Sequence, residues 1–446
     1  MTYREALAYL DSLEALGIRP GLDRIDALLA RLGSPQTAFP SVLIAGTNGK
    51  GSVAAILASI LRQAGHTPGV YTSPHLVRFE ERIVVGDEMI SESDLATLAG
   101  EVRSAIEAGT HLNEDPPTYF EATSALAFLH FGRRRVPIAV LEVGMGGRFD
   151  ATNVVRPLVC AITPVSLDHT QWLGRTLGEI AYQKAGILEA GVPAIIAQQT
   201  PAAFEVIRAE ATHLRAPLTL TTDSKVEPVA RTAASSGSRP GRLSDPPVFS
   251  LVTPSGRRYP ELALSLRGAH QVDNAVVAVL LAEQLADRGV SGIDSPAIAA
   301  GLRTAVWPGR LEIVPGRPDL LLDGAHNPAG CETLAAYLRE QQPGRHTTLV
   351  FATMKDKPAD KMLDLLCPLV RRVIVTRVPV PRGEAPENLR RLAAARHDAV
   401  AHAESVANAL ALARDAAGRE GLVVVSGSLY LVGEIKKGLS AAPARV

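Results

Sequence analysis

The segment from Val42 to Leu61 limits the possible folds more than any other part of the chain. Val42-Leu43-Ile44 is a short apolar β run, Gly46-Thr47-Asn48-Gly49-Lys50-Gly51-Ser52 follows it, and Val53 to Leu61 continues as an apolar helix. A strand that feeds a glycine-rich turn and then a helix belongs to a sheet covered by helices. Main-chain N–H groups at such a helix start can cradle phosphate, and Lys50 adds a point charge. The spacing departs from the usual phosphate loop. Ile44 stands where a glycine is expected, and Gly51 stands where a serine or threonine normally offers its hydroxyl to Mg²⁺. The plain alternative is a strand-to-helix turn with no ligand.

Further short β runs alternate with longer helical ones, at Ile138 to Val143 and Val159 to Thr163. The first 32 residues read as two helices, one with Leu7, Leu10 and Leu13 on a face, the other with Ile25, Leu28, Leu29 and Leu32. Residues 222 to 247 are rich in Ser, Pro, Arg and Gly and read as a mobile surface insertion. A second series has strand candidates Leu320 to Leu322, Thr347 to Phe351, Val373 to Val375 and Leu422 to Val425. The expected fold class is α/β: a P-loop-type N-terminal domain with a mainly parallel sheet, residues 1–296, and a smaller Rossmann-like domain, residues 297–446.

At 446 residues the chain is too long for one ordinary core. Its 46 basic and 46 acidic residues leave no global field to hold a polyanion, so no nucleic-acid partner is expected. No apolar run approaches the ~18 residues of a membrane span, and the charged N-terminus does not read as a signal peptide. Three scattered cysteines favour a reducing compartment, so a cytoplasmic location is expected. No coiled-coil pattern is present, and a monomer is the default.

If the loop lacks a metal-binding hydroxyl, other strand ends must supply it. Ser73, in Thr72-Ser73-Pro74-His75, Glu142, closing Ile138 to Glu142, and His169, past Thr163, are candidates for a Mg²⁺ set completed by water and phosphate. Singly they also read as a turn serine, a salt-bridged glutamate and a core histidine. Lys184 falls inside the apolar stripe of Leu177, Ile180, Ala181, Ile187 and Leu188. Burial there would lower its pKa and let it add CO₂ as a carbamate. The competing expectation is that its stem carries the ammonium to solvent.

Together these segments resemble the folylpolyglutamate synthase/dihydrofolate synthase family of the Mur ligase superfamily. The matches run in order: Gly21 to Arg24, Gly46 to Ser52, Ser73-Pro74-His75-Leu76, Thr118 to Glu121, Leu141 to Asn153, Leu167 to Thr170, Lys184 to Ile187, His270-Gln271 with Asn274, Pro308 to Arg310, and Asp323 to Pro328. The resemblance implies that ATP binds Thr47, Asn48, Gly49, Lys50, Gly51, Ser52, Asn274, Arg310 and Asp323. It implies that Ser73, Glu142, His169 and carbamylated Lys184 hold Mg²⁺, two ions in all. His326 joins Lys50 and Lys184 as a catalytic residue. The pterin surface would comprise Leu22, Asp23, Arg24, Tyr119, Phe120, Glu121, Arg148, Phe149 and Asp150. Thr118 to Glu121 also makes a good capping box, and Arg82 reads as a hairpin stabiliser. Gln183 departs from the family, where a glutamate often precedes the lysine.

The implied reaction is ATP-dependent ligation of L-glutamate to dihydropteroate, to a reduced folate, or to both, through an acyl phosphate, with the second domain closing over the nucleotide. Thr118 to Glu121 resembles members that do both. A peptidoglycan ligase is not expected, because 45 residues before Gly46 leave no room for a nucleotide-sugar-binding domain. A catalytically inactive nucleotide-binding regulator is disfavoured by the intact serine, glutamate, histidine and lysine positions.

Overall fold

The computed structural model describes residues 1–229, 246–341 and 345–441. These separate into two compact units. One comprises residues 1–229, 248–264 and 271–306; the other comprises 246–247, 265–270 and the chain from Trp307 onward.

In the first unit, among the described residues, eight strands form one sheet. They are β1 (Ser41–Ala45), β2 (Gly69–Tyr71), β3 (Ile83–Val85), β4 (Glu88–Met89), β5 (Ala139–Glu142), β6 (Val159–Ile162), β7 (Ala194–Ile196) and β8 (Leu218–Leu220). Their order is β4-β3-β2-β5-β1-β6-β7-β8. All pairs from β2 to β8 are parallel, and β3 and β4 add an antiparallel hairpin at one edge. Strand β1 sits in the middle and is buried throughout, as a strand covered on both faces must be. The sequential partner β2 lies two places away, so the chain reverses its direction of travel around β1. Such a switch opens a crevice at the carboxyl ends of the strands.

The helix Lys50–Gln63 buries Ile56, Leu57, Ile60 and Leu61 completely. Each such side chain contributes roughly 1.5–3 kcal/mol of transfer free energy, before entropy is counted. The helix Ser295–Thr304 packs along it, and Ser59 and Thr304 share a hydrogen bond of 3.1 Å. This packing keeps Ser295–Thr304 whole and within the first unit. The division therefore falls between Val306 and Trp307, ten residues beyond the expected cut at 296/297, which lies in that helix's first turn.

A three-stranded antiparallel sheet also belongs to the first unit: β9 (Lys225–Pro228), β10 (Val248–Val252) and β11 (Arg258–Ala263). It corrects part of the expected insertion at 222–247, because Lys225–Pro228 pairs in register with Val252–Phe249. Every side chain of β9 is exposed, so this edge strand is held by main-chain pairing and leaves no apolar alternation to read. The remainder of that expected insertion, 230–245, lies outside the described residues.

The second unit contains, among its described residues, β12 (Glu312–Val314), β13 (Asp319–Leu322), β14 (Thr347–Phe351), β15 (Arg372–Val375), β16 (Val400–His402) and β17 (Leu422–Ser426). They are ordered β12-β13-β17-β14-β15-β16 and are parallel except for β12. The four expected strands are present, and the α/β class stands in both units. No described helix is long and apolar enough to cross a membrane.

Candidate active site

Four neighbouring strands of the first unit, β2, β5, β1 and β6, end on the same side of the sheet. Ser73 follows β2, Glu142 closes β5, the Gly46–Ser52 loop follows β1, and Ser166 to His169 follow β6. Parallel pairing thus gathers residues far apart in sequence, Thr47 and Ser166 being 119 positions apart.

The loop is held by its neighbours. Gly46 has φ 138° and lies against Thr163, where an added Cβ would sit 1.8 Å from Oγ1. A side chain is therefore excluded by both conformation and space. The Thr47 N–H donates to Pro164 O at 3.0 Å, its hydroxyl donates to Ser166 O at 3.1 Å, and the Ser166 N–H returns to the same hydroxyl at 3.0 Å. The Lys50 ammonium donates to Gly46 O and Thr47 O, both at 3.2 Å.

Lys184 reaches the same carbonyl. It lies on the helix Leu177–Ala185, started by a Thr176–Glu179 capping box, and is 3% exposed. Its Nζ donates to Gly46 O at 2.6 Å. The solvent-directed alternative is thereby corrected: the stem runs inward to the loop. Burial pulls its pKa from 10.5 to about 7, reinforced by Lys50 and opposed by Asp168 and Asp150.

The Ser73 N–H donates to a carboxylate oxygen of Glu142 at 3.2 Å, and Glu142 is buried. His169 has φ 49° and its N–H donates to Asp168 Oδ1 at 2.9 Å, where it starts the short helix Thr170–Leu173. Among the described residues no three His, Cys, Asp or Glu side chains gather as a metal cluster. The expected set instead mixes a hydroxyl, a buried carboxylate, an imidazole and a lysine. Its oxygen donors suit a hard cation only with further oxygens from water, phosphate or a carbamate.

The expected pterin residues divide by role. Gly144 abuts Phe120, whose ring would lie 2.5 Å from an added Cβ, so the glycine lets the loop close on the aromatic face. Phe120 also lies 5.9 Å from the ring of Tyr71, and Phe149 is half exposed. Leu22 and Tyr119 pack partly buried against the core. Arg24 and Glu121 are paired with each other at 3.1 Å, and Glu121 caps the helix Tyr119–Arg134 through the Thr118 N–H at 2.7 Å. Asp23 opens the helix Asp23–Arg31. The Asp150 carboxylate accepts from the Met145 N–H, the Thr152 N–H and the Thr152 hydroxyl at 2.9, 3.0 and 2.6 Å. Burial still raises its pKa. Arg148 stacks 4.1 Å over Tyr182 and donates to Glu210 at 2.7 Å. Arg24, Glu121, Arg148 and Asp150 thus direct most of their polar groups to the protein itself and hold the wall in shape, while Arg148 Nε is buried with no hydrogen-bond partner among the described residues. Gln183 accepts the Arg148 N–H through its main-chain oxygen at 2.8 Å, a contact that a glutamate would make equally. Asn274 faces the loop, within 2.4 Å of where a Cβ on Gly49 would be.

In the second unit Asp323 follows β13. Its carboxylate accepts from the Leu311 N–H at 2.9 Å and the Ala325 N–H at 3.0 Å. Burial raises its pKa, and Arg310 opposes the rise. The Arg310 guanidinium packs against Gly324, and His326 donates from Nδ1 to Gly324 O at 2.8 Å. One loop cluster therefore carries Arg310, Asp323 and His326.

Two known domain families match the chain: the Mur ligase middle domain over residues 44–282, and the Mur ligase glutamate ligase domain over 309–429. The dihydrofolate synthase/folylpolyglutamate synthase of Bacillus subtilis is 35% identical over 98% of this chain and 99% of its own. This chain belongs to the folylpolyglutamate synthase/dihydrofolate synthase family of Mur ligases. As a member it is an ATP-dependent ligase. Mycobacterium tuberculosis folylpolyglutamate synthase, solved with ADP and AMPPCP, superposes with a TM-score of 0.87 at 33% identity, covering 99% of this chain and 100% of that one. Escherichia coli FolC in complex with DHPP and ADP gives 0.84 at 31% identity, covering 98% of both chains.

Beside the expected residues stand Ser166, Asp168 and His75, to which the sequence reading gave no role of their own. Thr47 and Ser166 clasp each other across 119 positions, and Asp168 acts on the charge of Lys184. His75 accepts from Arg82 at 2.9 Å, and burial with that neighbouring charge pulls its pKa down to about 4. Only the Ser166 to His169 run offered a signal, as a polar cluster after a strand end.

Proposed function

We propose that this ligase joins L-glutamate both to dihydropteroate and to reduced folates. The reading is supported by adjacent strand ends that bring Ser73 and Glu142 to the loop carrying Lys50, and by Lys184, which reaches the same loop from the helix Leu177–Ala185. In the proposed reaction a carboxylate oxygen of the pterin substrate attacks the γ-phosphorus of ATP, and ADP leaves. The glutamate amine then attacks the acyl carbon of the mixed anhydride and loses a proton, and inorganic phosphate leaves. The first step brings two anions together, so Lys50 beside the loop offsets their repulsion and the charge on the transferring group.

Ser73, Glu142 and His169 would hold one Mg²⁺, and Lys184 a second after its amine adds CO₂ and releases a proton. The buried Glu142 carboxylate, fixed by the Ser73 N–H, suits such an ion. When bound, Mg²⁺ would neutralise phosphate charge. Thr47 to Ser52, Asn274, Arg310 and Asp323 are assigned to ATP, and His326 is assigned as a catalytic residue with Lys50 and Lys184. Leu22, Tyr119, Phe120 and Phe149 give the pterin its apolar faces, with Asp23, Arg24, Glu121, Arg148 and Asp150 supporting them. Three free, buried cysteines support a cytoplasmic location. A monomer is proposed, with no nucleic-acid or membrane partner.

The test is phosphate release from Mg·ATP and glutamate by purified protein, run separately with dihydropteroate and with tetrahydrofolate. Turnover with both is expected. Turnover with one alone would restrict the enzyme to that reaction, and turnover with neither would overturn the reading.

A further inference from the structure

Arg82 is a buried cation with no carboxylate paired to it among the described residues. It ends the turn Phe79–Arg82 that leads into β3 and is 6% exposed. Its main-chain oxygen accepts from the Thr72 N–H at 3.0 Å, which ties it to the loop carrying Ser73. Its Nε donates to Nδ1 of His75 at 2.9 Å, and that is the only polar contact of its guanidinium among the described residues. Two aromatic rings frame it, with Tyr119 and Phe79 ring centres 5.5 and 5.8 Å from Cζ.

Nearby acids are committed elsewhere. Glu80 pairs with Arg78 at 3.1 Å and accepts from Tyr3. Glu81 accepts the N–H groups of Leu76, Val77 and Arg78 at 2.7, 3.0 and 2.8 Å. A guanidinium has five N–H bonds, so four of Arg82's remain uncommitted, on the edge that matches a carboxylate in a two-pronged contact. A buried charge held without a partner is costly, and a fold that merely needed a hairpin brace would be better served by a neutral side chain. Tyr119, on one side of Arg82, is followed by Phe120, the ring that closes on Gly144.

We propose that Arg82 is a substrate-binding residue, and that its uncommitted N–H groups, framed by Tyr119 and Phe79, grip the carboxylate end of the pterin-bearing substrate. This assignment rests on the folate-ligase reading above. It gives the pterin site a means of selecting acids over neutral pterins, with the aromatic rings excluding water from the ion pair.

The experiment is equilibrium binding of dihydropteroate, and of the same molecule lacking its carboxylate, to wild type, Arg82→Gln and Arg82→Lys. Wild type is expected to prefer the acid by roughly 10- to 100-fold, the range of a charge-assisted contact. In Arg82→Gln that preference should collapse, with the neutral analogue bound as tightly as by wild type. Arg82→Lys, which keeps the charge but not the planar fork, should retain a fraction of it. A merely structural arginine would weaken both ligands alike and leave the ratio standing, which would overturn the proposal. If Arg82→Gln fails to fold, an undiminished ratio in Arg82→Lys overturns it. Wild type that binds both ligands equally sinks the Arg82 assignment alone. Wild type that binds neither sinks the folate reading with it.

Discussion

Each unit buries a charged side chain beside a glycine-bearing loop, and the two charges are served in opposite ways. Asp323 has two main-chain N–H groups aimed at its carboxylate, from Leu311 and Ala325. Lys184 has one carbonyl, that of Gly46, and shares it with a second lysine. The Asp323 contacts fix Leu311, which has φ 45°, so this charge organises its loop whatever else it binds. The Lys184 contact leaves two positive groups on one acceptor, which favours the neutral amine. A charge matched by the protein builds structure; a charge left poorly matched is held ready for chemistry or a ligand. Arg82 belongs with Lys184 by this measure.

The largest effect that would sharpen the contrast is at Lys50. Lys50→Ala should lower phosphate release by about a thousandfold or more while leaving the melting temperature nearly unchanged. An active variant would remove the ligase scheme.

Lys184→Ala comes next, with an expected loss of about a hundredfold or more that added short carboxylates partly restore. Its stability should be no lower than wild type, because removing an ill-matched buried charge relieves a penalty. A destabilised variant without rescue would place Lys184 with Asp323 as a structural residue.

Asp323→Ala should lose both turnover and about 1–3 kcal/mol of stability in denaturant unfolding, since it orphans two buried N–H groups. Unchanged stability would break the comparison from the other side.

The pH dependence follows from the depressed pKa of Lys184, about 7 when folded against 10.5 unperturbed. Between those values the unfolded chain binds the extra proton, so stability must rise with pH across that window. Below about 7 both states are protonated and the full penalty remains. Denaturant unfolding in metal-free, CO₂-depleted buffer at pH about 7 and about 9 should show wild type gaining on the order of 2 kcal/mol relative to Lys184→Met. Parallel pH curves would show that the amine is not held neutral.

The smallest effect is at Gln183. Gln183→Glu should change kcat by less than about twofold, because Gln183 meets the loop through its main chain. A large gain in rate would show that its side chain acts on Lys184.

Much of the fold was legible because strands here are short apolar runs and glycine marks the turn after β1. Lys50 could be read for the same reason, as a lysine inside a glycine turn between strand and helix. Lys184 could be read as out of place, but whether its stem ran to solvent or to Gly46 depended on which loop lay beneath the helix. The strand Lys225–Pro228 was illegible because its side chains are all exposed and its main chain does the pairing. Arg82 looked like a hairpin brace because sequence shows an arginine's neighbours along the chain, not that no carboxylate among the described residues pairs with it in space.

The sequence by itself determined the α/β class, the family and the identity of the groups able to do phosphoryl chemistry, because these follow from local periodicity and short motifs. Tertiary structure alone decided which of those groups meet. Parallel order β2-β5-β1-β6 sets Ser73 against Glu142 and aligns both with the glycine loop. Packing of the Leu177–Ala185 helix turns Lys184 inward to Gly46. Burial then decides charge: the same lysine would be an ordinary ammonium in water, and its surroundings, not its identity, bring its pKa to about 7.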